Sequence, residues 1–309
     1  MATTSIPRAA VARRSRNRQL NRIMLAYALV APVVIWRVAI AVYPFLHTIV
    51  QSFTNESPMT FGPIKWVGLR NYGNMFQDPT VTESLAFTVI FTVASTILQI
   101  IYALGIASLL NSSFKARSIV RAVNLLPWAM PTIVVATAGQ WLFNQQFGMF
   151  DDVWSRVFAG ARPIWLANND LARLAVILLD VWKNAPWAAI ILLAGLQNIP
   201  SELYEAARVD GASAWRTFRS VILPLLMPTL LTLVIFVATY RILSFDIVYG
   251  LTQGGPGSST SLLSYQVYKV AFSGLYYGYA AAIACFAFLI VLVISLVGYA
   301  FLRRSQNAF

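Results

Sequence analysis

Apolar residues fill six long stretches of the chain, near residues 23–49, 85–110, 120–143, 171–196, 225–248 and 280–301. Each offers about the 20 residues that a helix needs to cross the hydrocarbon layer of a bilayer. The short segments between them are rich in Gly, Pro, Asn and charged residues. The pattern predicts an all-α polytopic membrane protein with six transmembrane helices and both termini on one side. A transmembrane domain covers 23–304, and a basic, disordered tail covers 1–22. Polar residues and prolines interrupt several spans. Arg37 falls inside the first, and Gln99 is the one strongly polar side chain of the second. Pro127 and Pro131 bend the third, because proline removes a backbone donor that neighbours must then replace. The fourth holds Asp180, Lys183, Asn184 and Pro186, and Tyr240, Arg241 and Asp246 cluster toward the end of the fifth.

Composition narrows the class further. Only 11% of the 309 residues are charged and 58% are hydrophobic, against roughly 25% charged in a soluble domain. The formal charge of +12 would suit nucleic acid, but the basic residues concentrate in the tail, at 115–121, at 208–219 and at 303–304. That distribution orients spans, with basic segments kept on the cytoplasmic side. It excludes nucleic acid as a partner and predicts that 201–223 and both termini lie in the cytoplasm. The first apolar run is too long for a signal peptide and lacks a small-residue cleavage site, so it is read as an uncleaved span. No soluble domain is expected at either end. Cys285 and His47 are the only residues of their kinds, which excludes a disulfide framework and a Cys- or His-based metal cluster within the chain.

A charge within the hydrocarbon layer costs at least about 2.5 kcal/mol on insertion scales, so each one needs a partner or a function. Asp180 and Lys183 are three apart, share a helix face and would partly neutralise each other. That spacing fits a structural pair and a substrate contact alike. Asp180 would serve as the proton carrier of a proton-coupled secondary transporter. Arg241 would pair with Asp246, although five residues is a poor spacing for one face. Tyr240 and Tyr249 nearby suit interfacial anchoring or the packing of rings on sugar faces. Arg37 and Arg241 would compensate a phosphate-bearing substrate. Pro127, Pro131 and Pro186 read equally as kinks and as hinges.

The segment between the fourth and fifth spans is charged and helix-capable. Ser201 suits a helix cap, and Glu202 and Glu205 favour the helix dipole from the first turns. Ala206 and Ala207 present a narrow face to another protein, and Gly211 supplies a turn or a contact without a side chain. Trp215, Phe218 and Val221 recur at helical spacing and would anchor the segment. The run Glu205-Ala206-Ala207-Arg208-Val209-Asp210-Gly211, followed after nine residues by Val221-Ile222-Leu223-Pro224, resembles the signature of binding-protein-dependent ABC importer permeases. Three more stretches are similar to carbohydrate-uptake members of that family: Gly68-Leu69-Arg70-Asn71-Tyr72, Leu126-Pro127-Trp128-Ala129-Met130-Pro131, and the glycine-rich outer loop from Leu251 to Thr260.

The resemblance implies a type I ABC importer permease of the maltose or glycerol-phosphate kind. Its partners would be a second homologous permease subunit, two ATPase subunits and an extracytoplasmic solute-binding protein, all within or beside membrane lipid. Glu205, Ala206, Ala207, Asp210 and Gly211 would form the coupling helix that enters a groove on the ATPase. ATP and Mg would be bound by that partner; this chain would hold no cofactor and no catalytic residue, and would not be an enzyme. The implied substrate is a di- or oligosaccharide such as trehalose or another α-glucoside, with glycerol 3-phosphate or a glycerophosphodiester as the alternative.

Overall fold

A computed structural model describes residues 8–59, 62–158 and 163–306. The chain divides into two units, Met1–Gln51 and Ser52–Phe309. The first holds one helix, α1 (Arg8–Gln51), whose portion Leu20–Gln51 is long and apolar enough to cross a membrane. The stretch expected as a disordered tail is helical from Arg8. Its Ala, Arg and Gln residues favour helix, and no Gly or Pro interrupts them before Pro32. The expectation for residues 1–7 lies outside the described residues.

The second unit holds α2 (Arg70–Gln77), α3 (Pro79–Asn111), α4 (Arg117–Ala129), α5 (Thr132–Leu142), α6 (Met149–Phe158), α7 (Asn169–Gln197), α8 (Ser201–Val209), α9 (Ala214–Thr217), α10 (Leu223–Ile242), α11 (Asp246–Leu251), α12 (Leu263–Tyr268) and α13 (Tyr277–Gln306). A π turn over Phe218–Ile222 carries α9 into α10. α3 and α7 pack along each other, α10 lies against both, and α13 lies against α10. Fully buried Ala103, Ala107, Ala188 and Ala189 belong to one apolar cluster on α3 and α7, where small side chains allow close helix approach. A second cluster gathers Phe87, Phe91, Val176 and Leu179 with Ile247 and Leu251 of α11.

Five helical stretches are long and apolar enough to span a membrane among the described residues, and α4 with α5 makes a sixth when that bent pair counts as one span. The bend is 90°. It falls at Met130 and Pro131, whose ψ angles of 142° and 135° are extended, because the residue before a proline is pushed out of the helical region. α3 begins ahead of its apolar run, since Pro79 takes the first helical position and the Asp78 carboxylate accepts the Thr80 amide at 2.9 Å. α7 is capped in the same way by Asn168, which accepts the amides of Asp170 and Leu171.

One expectation about the C-terminal half is corrected. The fifth span was expected to continue to 248, but α10 ends at Ile242 and α11 turns against α5. That packing is close: a Cβ on Gly250 would lie 2.6 Å from Ala136 Cβ. The glycine-rich loop after Leu251 is closely packed. Thr260, Ser261 and Leu262 are buried. Thr260 Oγ1 donates to Gly255 O at 2.7 Å, Arg173 Nε to Ser259 O at 2.9 Å, and the Leu263 amide to Thr88 Oγ1 at 2.9 Å. The loop is tied down onto α3 and α7.

The stretch ahead of α2 is also a built corner. Asn71 Nδ2 donates to the carbonyls of Ser52 and Thr54 at 2.8 and 2.9 Å, and the Tyr72 hydroxyl bonds to Ser52. These bonds give the Asn-Tyr pair of the sequence pattern a structural task.

Candidate functional site

Between the two apolar clusters, α3, α7 and α10 meet in a polar knot. Arg241 of α10 is 1% exposed and Asp180 of α7 is 2% exposed. Arg241 Nε and Nη2 both donate to Asp180 Oδ2, at 2.8 and 2.7 Å. Nη1 donates to Thr96 Oγ1 at 3.2 Å, and Nη2 also donates to Gln99 Oε1. Asp180 Oδ1 accepts Asn184 Nδ2 at 2.8 Å, and Gln99 Nε2 closes the ring on the Asn184 carbonyl at 3.1 Å. Charge, carboxylate and amides are thus paired inside the bundle, which is how an ion pair survives away from water. The partner of Arg241 is Asp180 and not Asp246; the two come from different helices, where spacing along the chain has no bearing. Lys183 feels the Asp180 charge, as its place on the same helix face suggests, without forming an ion pair with it.

Beside the knot lies a cavity of about 320 Å³ lined by Gln99, Trp128, Lys183, Asn184, Trp187, Phe236, Tyr240 and Arg241. Trp187 and Phe236 approach with ring centroids 5.3 Å apart. Lys183 is 5% exposed and makes no ion pair among the described residues. A neighbouring cavity of about 270 Å³ is bordered by Thr132, Asp180, Asn184, Tyr240 and Asp246. Aromatic faces with a few convergent polar groups are the composition of a small-molecule site. The structure therefore brings together Asp180, Lys183, Asn184, Tyr240, Arg241 and Asp246 around adjoining spaces. Sequence reasoning missed Thr96, Trp128, Trp187 and Phe236 as members. Their only signal was a polar or aromatic residue within an apolar run, too common in membrane helices to single them out.

The prolines differ in what they do. Pro131 is the break between α4 and α5, Pro127 lies inside α4 one turn before it, and Pro186 lies inside α7.

The signature segment folds as α8 and a left-handed turn. The amides of Gly211 and Ala212 donate to the carbonyls of Arg208 and Ala207 at 3.0 and 2.9 Å, and Gly211 has φ +68°. This is the αL helix stop that favours glycine. A Cβ there would meet nothing within 4 Å, so the requirement is conformational and not steric. The two alanines face opposite ways: Ala207 is buried and Ala206 exposed. Glu205 is exposed and borders a hollow of about 410 Å³ with Asn111, Tyr204 and Arg208. Asp210 caps the helix end. Trp215, expected to anchor the segment, is 69% exposed and stacks on Phe218 at 5.8 Å. With Val209 at 88%, it leaves an apolar surface open around α8.

Residues 99–307 match the family of binding-protein-dependent transport system inner membrane components. The chain is 37% identical over 278 residues to the trehalose/maltose transport system permease protein of Thermococcus litoralis, covering 88% of this chain and 92% of that one. It is 37% identical over 267 residues to the sulfoquinovosyl glycerol transport system permease protein of Agrobacterium fabrum, covering 85% and 86%. It is 32% identical over 267 residues to the multiple sugar-binding transport system permease protein of Streptococcus mutans, covering 86% and 91%. Among solved structures, a bacterial ABC transporter involved in the import of the acidic polysaccharide alginate matches with a TM-score of 0.81 over 93% of this chain and 98% of that one, at 23% identity. At that identity the likeness speaks for the fold.

Proposed function

The chain belongs to the binding-protein-dependent transport system inner membrane components, and on that premise we propose that it imports a neutral di- or oligosaccharide, such as trehalose or another α-glucoside. It is a multi-pass inner membrane protein and a permease of the sugar ABC importer kind. The family works with a solute-binding protein and an ATPase; one homologous permease and two ATPase copies complete the proposed complex. ATP and Mg are held by the ATPase, and no residue of this chain performs chemistry. Both termini and α8 face the cytoplasm, a reading supported by the placement of Lys and Arg. Glu205, Ala206, Ala207, Asp210 and Gly211 form the docking element, and the exposed side of α8 supports that role. Closure of the ATPase dimer pulls on α8, and the bend at Pro131 and the break after Ile242 give the pathway places to flex.

The observation that carries the saccharide is the 37% identity, over 88% of this chain, to a trehalose/maltose permease. The aromatic and amide lining beside Lys183 agrees with it. Two rivals lose their footing. Arg241, one of the two arginines that would have met a phosphate, is buried and bound to Asp180, Thr96 and Gln99. Asp180, the proton carrier of a secondary transporter, is neutralised by that same arginine.

The test is ATPase activity of the reconstituted complex with its binding protein, across trehalose, maltose, a uronate oligosaccharide and glycerol 3-phosphate. Several-fold stimulation by a neutral α-glucoside is expected. Stimulation confined to the phosphate or the uronate, or none by any of the four, would overturn the proposed substrate class.

A further inference from the structure

A separate cleft of about 950 Å³ opens among residues 54–57, α2, the start of α3 and the chain that joins α12 to α13. It shares no residue with the cavities around Lys183 and Tyr240. Thr80 lines this cleft at one end of α3, while Asn111 borders the α8 hollow at the other. At 1.5 Å per residue the two ends lie roughly 45 Å apart, a full bilayer with its headgroups. The cleft therefore opens on the side away from α8.

Its walls are polar and arranged. Asn71, Asn74 and Gln77 recur at helical spacing, so α2 turns one amide-bearing face into the cleft. Asp78 is already satisfied: Oδ1 accepts the hydroxyl and amide of Thr80 at 2.8 and 2.9 Å, and Oδ2 accepts the Tyr279 hydroxyl at 2.9 Å. Burial alone would raise its pKa, but these bonds and one from the Val81 amide outweigh it and hold the carboxyl below its ordinary value. Gln266 is 4% exposed. Its Nε2 donates to Thr80 Oγ1 at 2.9 Å, and its Oε1 is buried with no hydrogen-bond partner among the described residues. A buried amide oxygen in that state calls for a donor. Tyr276, 57% exposed, adds a ring face to the lining.

Charge decides what kind of donor. Glu56 and Asp78 face the cleft against the single ammonium of Lys269, so an anionic ligand would meet like charge. Amides, one ring face and a donor-seeking oxygen suit hydroxyl groups. The volume is at the upper end for small-molecule sites, enough for more than one sugar ring.

We propose that this cleft is a second saccharide site, which holds a neutral oligosaccharide before it reaches the cavity beside Lys183. The proposal rests on the sugar-permease reading and adds a place where chain length and neutrality are sensed. Gln266 Oε1 accepts a sugar hydroxyl, Asn74 and Gln77 bond to its neighbours, and Tyr276 supports a ring face.

The test uses the whole complex in nanodiscs, without ATP and without binding protein, exposed to a photoreactive maltotetraose. Label is expected within 70–80 and 264–279. It should be competed by unlabelled maltotetraose, not by a uronate tetramer, and fall at least tenfold in the Asn74→Ala, Tyr276→Ala double variant with an unchanged melting temperature. Label confined to other segments, or competed equally by the uronate, would overturn the proposal. So would unchanged label in the double variant alongside lost capture of the binding protein, which would make the cleft a protein-docking site. Saccharide-stimulated ATPase activity measured in parallel separates the two readings. Stimulation without label in the cleft removes the second site and leaves the sugar reading; no stimulation by any saccharide removes the sugar reading itself.

Discussion

Arg241 and Asp180 show what a single pair of residues does at this depth. They lie 61 positions apart, come from different helices and leave almost no surface to solvent. Removing one partner leaves an uncompensated buried charge, at a cost of about 3–5 kcal/mol, whereas replacing both with apolar groups of similar volume is often neutral. Asp180→Leu is therefore expected to lower the melting temperature of the purified complex sharply, and the double variant Asp180→Leu, Arg241→Met to recover most of the loss. Equal damage from the single and double variants would mean that the pair does more than hold three helices together. Lys183, on the same face of α7, lines the cavity without an ion pair among the described residues. The sequence showed both charges in one span and suggested that they answer each other. That suggestion used helical spacing, which reports only on neighbours within one helix.

At the scale of an element, α8 separates two adjacent alanines into different roles. Ala207 is buried against this chain and Ala206 faces outward beside Val209. A tryptophan at Ala207 overpacks the interior, typically at about 1–3 kcal/mol. At Ala206 it leaves stability within about 0.5 kcal/mol, as exposed positions usually do. Ala206→Trp should accordingly keep the melting temperature while cutting binding of the ATPase, measured by co-purification, at least tenfold, about 1.4 kcal/mol. Loss of stability at Ala206 and none at Ala207 would place α8 the other way round. The existence of this helix and its glycine stop were legible from the chain, because left-handed turns are local; Ser201, expected as the cap, is instead the first helical residue, and Pro200 holds the cap position without a side-chain bond. Which alanine faces in was not legible, since that depends on how α8 lies against the ends of α3 and α7. The same limit explains α11. No Gly or Pro marks the break after Ile242, and only the close seat of Gly250 against Ala136 shows why the chain turns there.

For the whole molecule, orientation is the property to test. If basic segments lie in the cytoplasm, then in a Cys285→Ser background a Val209→Cys side chain is modified only from the cytoplasmic face, and Gln77→Cys only from the other. Labelling of intact cells against inverted vesicles with a membrane-impermeant maleimide reads this directly, and the reverse pattern would overturn the proposed topology. The number and rough limits of the spans, the bend near Pro131 and the α8 signature were determined by the sequence alone. A bilayer acts on each segment separately through apolar length and charge, and proline and glycine act on their own backbone. Only the tertiary structure decided which buried charges pair, that the glycine-rich stretch is packed down and not free, that α10 stops short, and which aromatic rings share a cavity. Each of these depends on side chains brought together from distant parts of the chain, and the energy of such a meeting has no signature in the order of residues on either strand of chain alone.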